Sequence, residues 1–83
     1  MNYNADFKIA VGARLRALRQ QYGLSQTTVA EKIGIRYQTY QNYEYGRREL
    51  PVHSCILLAQ LYDVSMDYLC LLSDSPTPYT TQP

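Results

Sequence analysis

The chain has 83 residues, of which 46% are hydrophobic, and a formal net charge of +1, which together describe one small globular domain with a modest core. No apolar run approaches the roughly 20 residues of a membrane helix, and the first residues, MNYNADFK, lack the apolar stretch of a signal peptide. We therefore expect a cytoplasmic protein with no membrane partner.

The charges are distributed unevenly along the chain. All eight Lys and Arg residues lie within residues 1–48 together with three acidic residues, whereas residues 49–83 hold four acidic residues and no Lys or Arg. This polarity suits a molecule that places one face against phosphate groups, although uneven halves also arise by chance.

The sequence contains no pattern typical of a metal site or an active site. Cys55 and Cys70 lie fifteen residues apart without a CxxC motif, and His53 is the single histidine. We therefore expect two reduced thiols on apolar helix faces, with no metal and no cofactor. No nucleophile is paired with a base and no phosphate-binding loop is present, which argues against an enzyme.

Five short helices and no strands are predicted. Helix 1 covers about residues 6–22, because apolar residues recur at spacings of three and four from Phe7 to Tyr22. Arg14 and Arg16 fall on its polar face, where we expect solvated side chains, with Arg14 the one that could reach a phosphate.

Helices 2 and 3 are separated by a glycine turn. Ser25 is a suitable N-cap for helix 2, about residues 26–33, which ends at Gly34. Helix 3 runs from about residue 37 to 45 and stops at Gly46. Two such short helices are not stable alone, so they must pack against neighbours.

Helix 4 is predicted at about 52–62 and helix 5 at about 66–72. In helix 4, Leu57 is expected to point outward, and the residues expected to face the core are Val52, Cys55, Ile56, Leu58, Ala59 and Leu61. Residues 73–83 contain prolines and Ser/Thr without periodicity, which predicts a disordered tail.

The stretch from Gln26 to Tyr45 matches the steric requirements of a helix-turn-helix. Ala30 supplies the small fifth residue, at which the two helices cross, and Gly34 supplies the glycine of the turn at the ninth position. The apolar positions that fix the angle between the helices are occupied by Val29, Ile33, Ile35, Tyr40 and Tyr43. A basic loop follows, so the combination indicates DNA binding.

On these residues the chain resembles the lambda-repressor/Cro-type helix-turn-helix family. The segments that carry the resemblance are VGARLRALR, GLSQTTVAEKIGI, TYQNYEYGRRELP and LAQLYDVSMDYL, within residues 11–71. The resemblance implies an all-α bundle of about five helices over residues 1–72, with helix 3 in the major groove of double-stranded DNA.

The resemblance also implies roles for individual side chains. Base contacts are expected from Arg36, Tyr37, Gln38 and Asn42. Phosphate contacts are expected from Gln26, Thr39, Gln41, Tyr45, Arg47 and Arg48. Arg19 and Glu44 match an ion pair that ties helix 1 to helix 3. The chemistry agrees, since Gln and Asn can pair with adenine, Arg can pair with guanine, and Arg can neutralise phosphates.

Some positions keep two interpretations. Tyr40 and Tyr43 are expected in the core rather than stacked on bases, whereas Tyr37 is open between DNA contact and surface packing. Arg36 stands where the family usually has Ser or Thr as the cap of helix 3. Because Arg cannot accept an N–H bond, either the helix begins by another device or Arg36 is kept for DNA.

A homodimer on a palindromic operator is expected, since one such domain contacts few base pairs. Leu57, Leu71 and Leu72 form a candidate dimer surface, unless the tail covers it through Tyr79. We interpret the protein as a transcriptional regulator that acts as a repressor. The alternative is an antitoxin that binds a protein toxin and regulates its own synthesis.

Overall fold

A computed structural model describes residues 5–77, and this part of the chain contains five α-helices and no strand. The helices are α1 (Ala5–Gln21), α2 (Gln26–Ile33), α3 (Tyr37–Glu44), α4 (Val52–Tyr62) and α5 (Met66–Leu69). The predicted all-α, five-helix architecture is confirmed. None of the described helices is both long enough and apolar enough to pass through a lipid bilayer.

The turn between α2 and α3 is built from local signals. The Ser25 hydroxyl accepts the Thr28 N–H at 3.0 Å and so caps the start of α2. Gly34 ends α2 with φ 75°, a left-handed conformation that residues with a Cβ rarely adopt. Arg36 precedes α3 in an extended conformation and makes no capping bond through its side chain.

The core lies where α1, α2, α3 and α4 meet. Tyr40 of α3 and Tyr62 of α4 are among its largest fully buried side chains. The other members of the main cluster are Leu15, Leu18, Val29, Ala30, Ile33, Tyr43, Cys55, Leu58, Ala59, Val64 and Leu69. Tyr40 and Tyr43 therefore serve as scaffold, as expected.

The orientation predicted for α4 is wrong at three residues. Val52 and Ile56 are exposed, at 68% and 40%, whereas Leu57 is half-buried against the core. The reason is that α4 buries the stripe formed by Ser54, Cys55, Leu58, Ala59 and Tyr62. Ser54 occupies a core position that hydrophobicity alone would not assign, which rotates the helix away from the predicted face.

Helix 5 is shorter than predicted. It ends at Leu69 instead of residue 72, because Leu71 adopts a left-handed conformation with φ 67° that no helix can continue through. The segment beyond the turn then folds back, and the Pro76 carbonyl accepts the Ser65 N–H at 3.0 Å. The remainder of the predicted disordered tail, residues 78–83 with Tyr79, lies outside the described residues.

Arg14 does not lie on a solvated face. Its Nη1 donates to the Tyr68 carbonyl at 2.7 Å, and its guanidinium lies 4.0 Å from the centre of the Tyr68 ring. Arg14 is half-buried as a result. It joins α1 to α5, so the phosphate contact considered for it is replaced by a structural role.

Candidate nucleic-acid interface

Helix α3 presents two chemically distinct faces. Its inner face consists of Tyr40, Tyr43 and Glu44, all buried. Arg36, Tyr37 and Gln38 are exposed at its N-terminal end, and the half-buried positions that accompany them are Thr39, Gln41 and Asn42. The structure thus gathers the four predicted base-contact residues around a helix whose other face is fixed in the core.

A buried ion pair joins α1 to α3. The Arg19 guanidinium donates to both carboxylate oxygens of Glu44, with Nε–Oε2 at 2.5 Å and Nη2–Oε1 at 3.1 Å. The Glu44 side chain is fully buried, and Arg16 approaches the same carboxylate at 3.5 Å. Burial is the largest single influence on Glu44 and disfavours its ionisation. The hydrogen bonds and charge that it receives from its neighbours, above all from Arg19, together outweigh burial, so the pKa of this carboxyl lies below its usual value.

The buried carboxylate also holds the start of α2. Gln26 Nε2 donates to Glu44 Oε1 at 3.1 Å. Its other amide atom, Oε1, accepts from Gln41 Nε2 at 3.3 Å and from the Tyr37 hydroxyl at 3.4 Å. Gln41 Nε2 also donates to the Tyr37 hydroxyl at 2.7 Å. A continuous network therefore runs from α1 through Glu44 and Gln26 to the exposed ring of Tyr37.

The basic loop is shaped by the C-terminal end of α3. The Asn42 carbonyl accepts the N–H of Arg47 at 2.9 Å and of Arg48 at 3.3 Å. The Tyr45 ring is 42% exposed and lies 5.1 Å from the Arg47 guanidinium and 5.8 Å from that of Arg16. Arg16, expected only on a solvated face, thus lies beside the predicted phosphate-contact residues.

Sequence reasoning missed Gly12, which sets the distance between α1 and α3. A Cβ built on Gly12 would lie 2.6 Å from the Tyr43 carbonyl oxygen and would also clash with the Glu44 carbonyl. The two helix backbones therefore touch at this point. A signal was present, because glycine inside a helix costs about 1 kcal/mol relative to alanine and needs a packing reason.

The described residues contain no group of three or more side chains that could hold a metal ion. The two thiols are unbridged, with Cys55 buried and Cys70 half-buried in the turn after α5.

Comparison with known proteins adds independent information. The helix-turn-helix family model HTH_3 matches residues 15–69. The uncharacterized HTH-type transcriptional regulator YobD of Bacillus subtilis (strain 168) is 45% identical over 65 residues, 78% of this chain and 58% of that protein. The HTH-type transcriptional regulator ImmR of the same organism is 38% identical over 61 residues, which are 74% of this chain and 48% of that protein. The chain spans about half the length of these curated relatives.

Two solved structures have the same fold. The restriction-modification controller protein C.AhdI from Aeromonas hydrophila superposes with a TM-score of 0.72 at 33% identity, over 80% of this chain and 98% of that chain. The DNA-binding domain of BldD gives a TM-score of 0.69 at 35% identity, over 81% and 97%. Both likenesses confirm the fold that the sequence predicts.

Proposed function

Because the chain belongs to the lambda-repressor/Cro-type helix-turn-helix family of transcriptional regulators, we propose that it binds duplex DNA sequence-specifically as a repressor. The observation that carries this proposal is the outer face of α3. Its exposed Arg36, Tyr37 and Gln38 stand on a helix locked from behind by a buried carboxylate. Such rigidity is what a base-reading helix requires.

In the proposed complex, α3 enters the major groove. Gln38 and Asn42 pair with adenine edges, and Arg36 pairs with O6 and N7 of guanine. Asn42 is half-buried, so it reaches only bases that lie close to the helix. The Tyr37 ring contacts DNA from the position in which Gln26 and Gln41 hold its hydroxyl.

Phosphate contacts surround this reading face. The proposed set is Gln26, Thr39, Gln41, Tyr45, Arg47 and Arg48. Gln26 and Gln41 are already bonded to each other, so a phosphate at the start of α2 joins an existing network. The start of α4 has no side-chain cap, which leaves its first N–H groups available to a second phosphate.

We propose that two copies bind a palindromic operator and repress by occluding the promoter. The candidate dimer surface is Leu57, Leu71 and Leu72, of which Leu72 is 63% exposed while Leu57 is half-buried. Val52 and Ile56 of α4 are also exposed, and we include them in the proposed apolar area. Sedimentation tests the dimer, and a monomer both free and on operator DNA would contradict it.

Selection of bound sequences from a random DNA pool tests the DNA-binding proposal, and the selected site then allows variants to be compared. Gln38→Ala should cost about 1–3 kcal/mol and relax specificity at one base pair. Arg48→Ala should weaken binding to all sequences alike and reduce the salt slope by about 1. Gln60→Ala, at an exposed position of α4, is the matched control and should have no effect. If both test variants bind as wild type, the proposal is wrong.

The antitoxin alternative gains no support. Both curated relatives described above are named as transcriptional regulators, and nothing in the described residues singles out a surface for a protein toxin. The family relation likewise places the chain among non-enzymatic regulators.

A further inference from the structure

The two cysteines, fifteen positions apart in sequence, meet in the fold. Cys55 Sγ of α4 lies 3.9 Å from Cys70 Sγ in the turn that follows α5. Cys55 is 2% exposed and belongs to the core cluster, whereas Cys70 is half-buried. The two sulfur atoms are in van der Waals contact, so the pair is close enough to react without any large rearrangement.

Solvent reaches the pair from the Cys70 side. Cys70 lines a surface cavity of about 180 Å³ whose other walls include the apolar side chains of Phe7, Val11 and Leu50. Two cationic residues, Lys8 and Arg48, also line this cavity. The charges favour the approach of an anionic small molecule to the thiol, so Cys70 is the accessible partner and Cys55 the protected one.

The backbone around Cys70 can accommodate a covalent bond. A disulfide needs the sulfur atoms about 2.05 Å apart, so they must approach by roughly 2 Å. Cys70 belongs to a short turn in which Leu71 already departs from helical geometry, with φ 67°. We expect this short turn, rather than the longer helix α4, to supply the movement.

We propose that Cys55 and Cys70 form an intramolecular disulfide by exchange with a low-molecular-weight disulfide. The Cys70 thiolate attacks one sulfur of the small disulfide, forms a mixed disulfide and releases one small thiol. Cys55 then loses its proton and attacks the Cys70 sulfur, which releases the second small thiol. Two cysteine thiols are oxidised and one small disulfide is reduced to two thiols, so atoms and electrons balance.

The protonation of Cys55 agrees with this order of attack. Burial and the neighbouring Cys70 raise the pKa of the Cys55 thiol to about 12. Cys55 therefore stays protonated at neutral pH and does not compete with Cys70 for the small disulfide. The first bond forms at the cavity and the second within the core.

The disulfide would link α4 covalently to the turn that carries Leu71 and Leu72. It closes a loop of about fifteen residues, which removes conformational freedom from the unfolded chain. The consequence is a more stable C-terminal region under oxidising conditions, reversed when thiols are in excess. This consequence is chemical and structural, so its test does not depend on whether the protein binds DNA.

The test exposes the full chain to excess oxidised glutathione, quenches the reaction with acid and measures intact mass and free thiols. We expect the mass of a single chain less two hydrogen atoms, with no free thiol and no bound glutathione. The midpoint of thermal unfolding should rise by on the order of 10 °C and return to its starting value after reduction.

Single-cysteine variants identify the two steps. Cys55→Ala should retain a stable glutathione adduct on Cys70, whereas Cys70→Ala should leave the buried Cys55 unmodified over the same time. If a variant fails to fold, the intact mass and free-thiol count of the oxidised wild-type chain still test the disulfide. A persistent glutathione adduct on wild type, two unreacted thiols, or a disulfide-linked dimer would each overturn the proposal.

Discussion

Residues 26–45 and residues 52–77 each contain two helices and a turn, but different contacts hold them in place. In the first region, a hydroxyl cap at Ser25, a left-handed Gly34 and the buried Glu44 carboxylate fix α2 against α3 and both against α1. In the second region, α5 is a single turn held by the long-range bonds of Arg14 and by the returning segment at Pro76.

From this difference we expect the two helices of residues 26–45 to be more rigid than residues 52–77. The region that presents the proposed DNA-reading side chains is fixed by the buried Glu44 carboxylate, whose oxygens accept from Arg19 and Gln26. The C-terminal region instead leaves Val52, Ile56 and Leu72 exposed and keeps its two thiols in reach of each other. One half of the molecule thus holds a fixed surface, and the other carries the residues of the proposed dimer surface and of the proposed disulfide.

The largest effect is expected from Glu44→Ala, which removes the group shared by α1, α2 and α3. Arg19, only 14% exposed in its side chain, would be left without its partner, and Gln26 would lose an acceptor. Breaking a buried ion pair in this way costs about 3–5 kcal/mol in the free energy of unfolding. Urea denaturation measures it.

Glu31→Ala, at an exposed position of α2, is the matched control and should change stability little. The pH dependence adds a second check. Because the pKa of folded Glu44 lies below its ordinary value of 4.5, its stabilisation is complete above that pH and is lost as the pH falls through the folded value. The gap between wild type and Glu44→Ala should therefore shrink in acid, and a constant gap would argue against the ion pair as its source.

Gly12→Ala should destabilise the protein by about 3 kcal/mol, because the added methyl group forces the α1 and α3 backbones apart. Helix propensity alone predicts the opposite sign, a gain of about 1 kcal/mol. The sign of the change in thermal unfolding therefore decides whether backbone contact controls this helix pair. Ala17→Gly, at an exposed position in the same helix, is the control and should lower stability only by the difference in helix propensity, about 1 kcal/mol.

The two regions also differ in how far the sequence predicted them. Ser25, Gly34, the bounds of α2 and the start of α3 were predictable, because caps and turn glycines act over three or four residues. The predicted end of helix 3 at residue 45 lies one residue beyond Glu44. Leu57 and the end of α5 were not predictable, since they depend on the buried Ser54 and on the left-handed Leu71, neither of which a local hydrophobic pattern indicates. The base and phosphate contacts expected of the helix-turn-helix stay predictions, because they concern bound DNA and are tested by binding measurements.

Arg14→Ala should lower the free energy of unfolding by about 2 kcal/mol through loss of the bond to the Tyr68 carbonyl and the contact with its ring. Hydrogen exchange should show the loss concentrated in α5 and the turn after it, with α2 and α3 still protected. Arg16→Ala, more exposed on the same helix, is the control and should leave α5 unchanged. Equal loss of protection in α2 and α3 would show that the two regions unfold together.

The smallest effect concerns Arg36, the residue before α3, where the side chain makes no capping bond. Arg36→Ser should stabilise the fold by about 1 kcal/mol, because serine can accept an N–H of the first turn as Ser25 does for α2. Arg36→Ala removes the guanidinium without adding a cap, so it separates the effect of losing arginine from the effect of gaining the serine cap. Thermal unfolding of wild type, Arg36→Ser and Arg36→Ala measures the gain in stability.

The same pair of variants tests why an arginine occupies this position. If Arg36 reads a guanine, both substitutions should weaken binding to the selected DNA site by about 1–3 kcal/mol, and serine should do so despite its more stable helix. Stability and affinity would then move in opposite directions at one residue. An Arg36→Ser protein that is more stable and binds as tightly as wild type would instead show that Arg36 has no part in reading DNA.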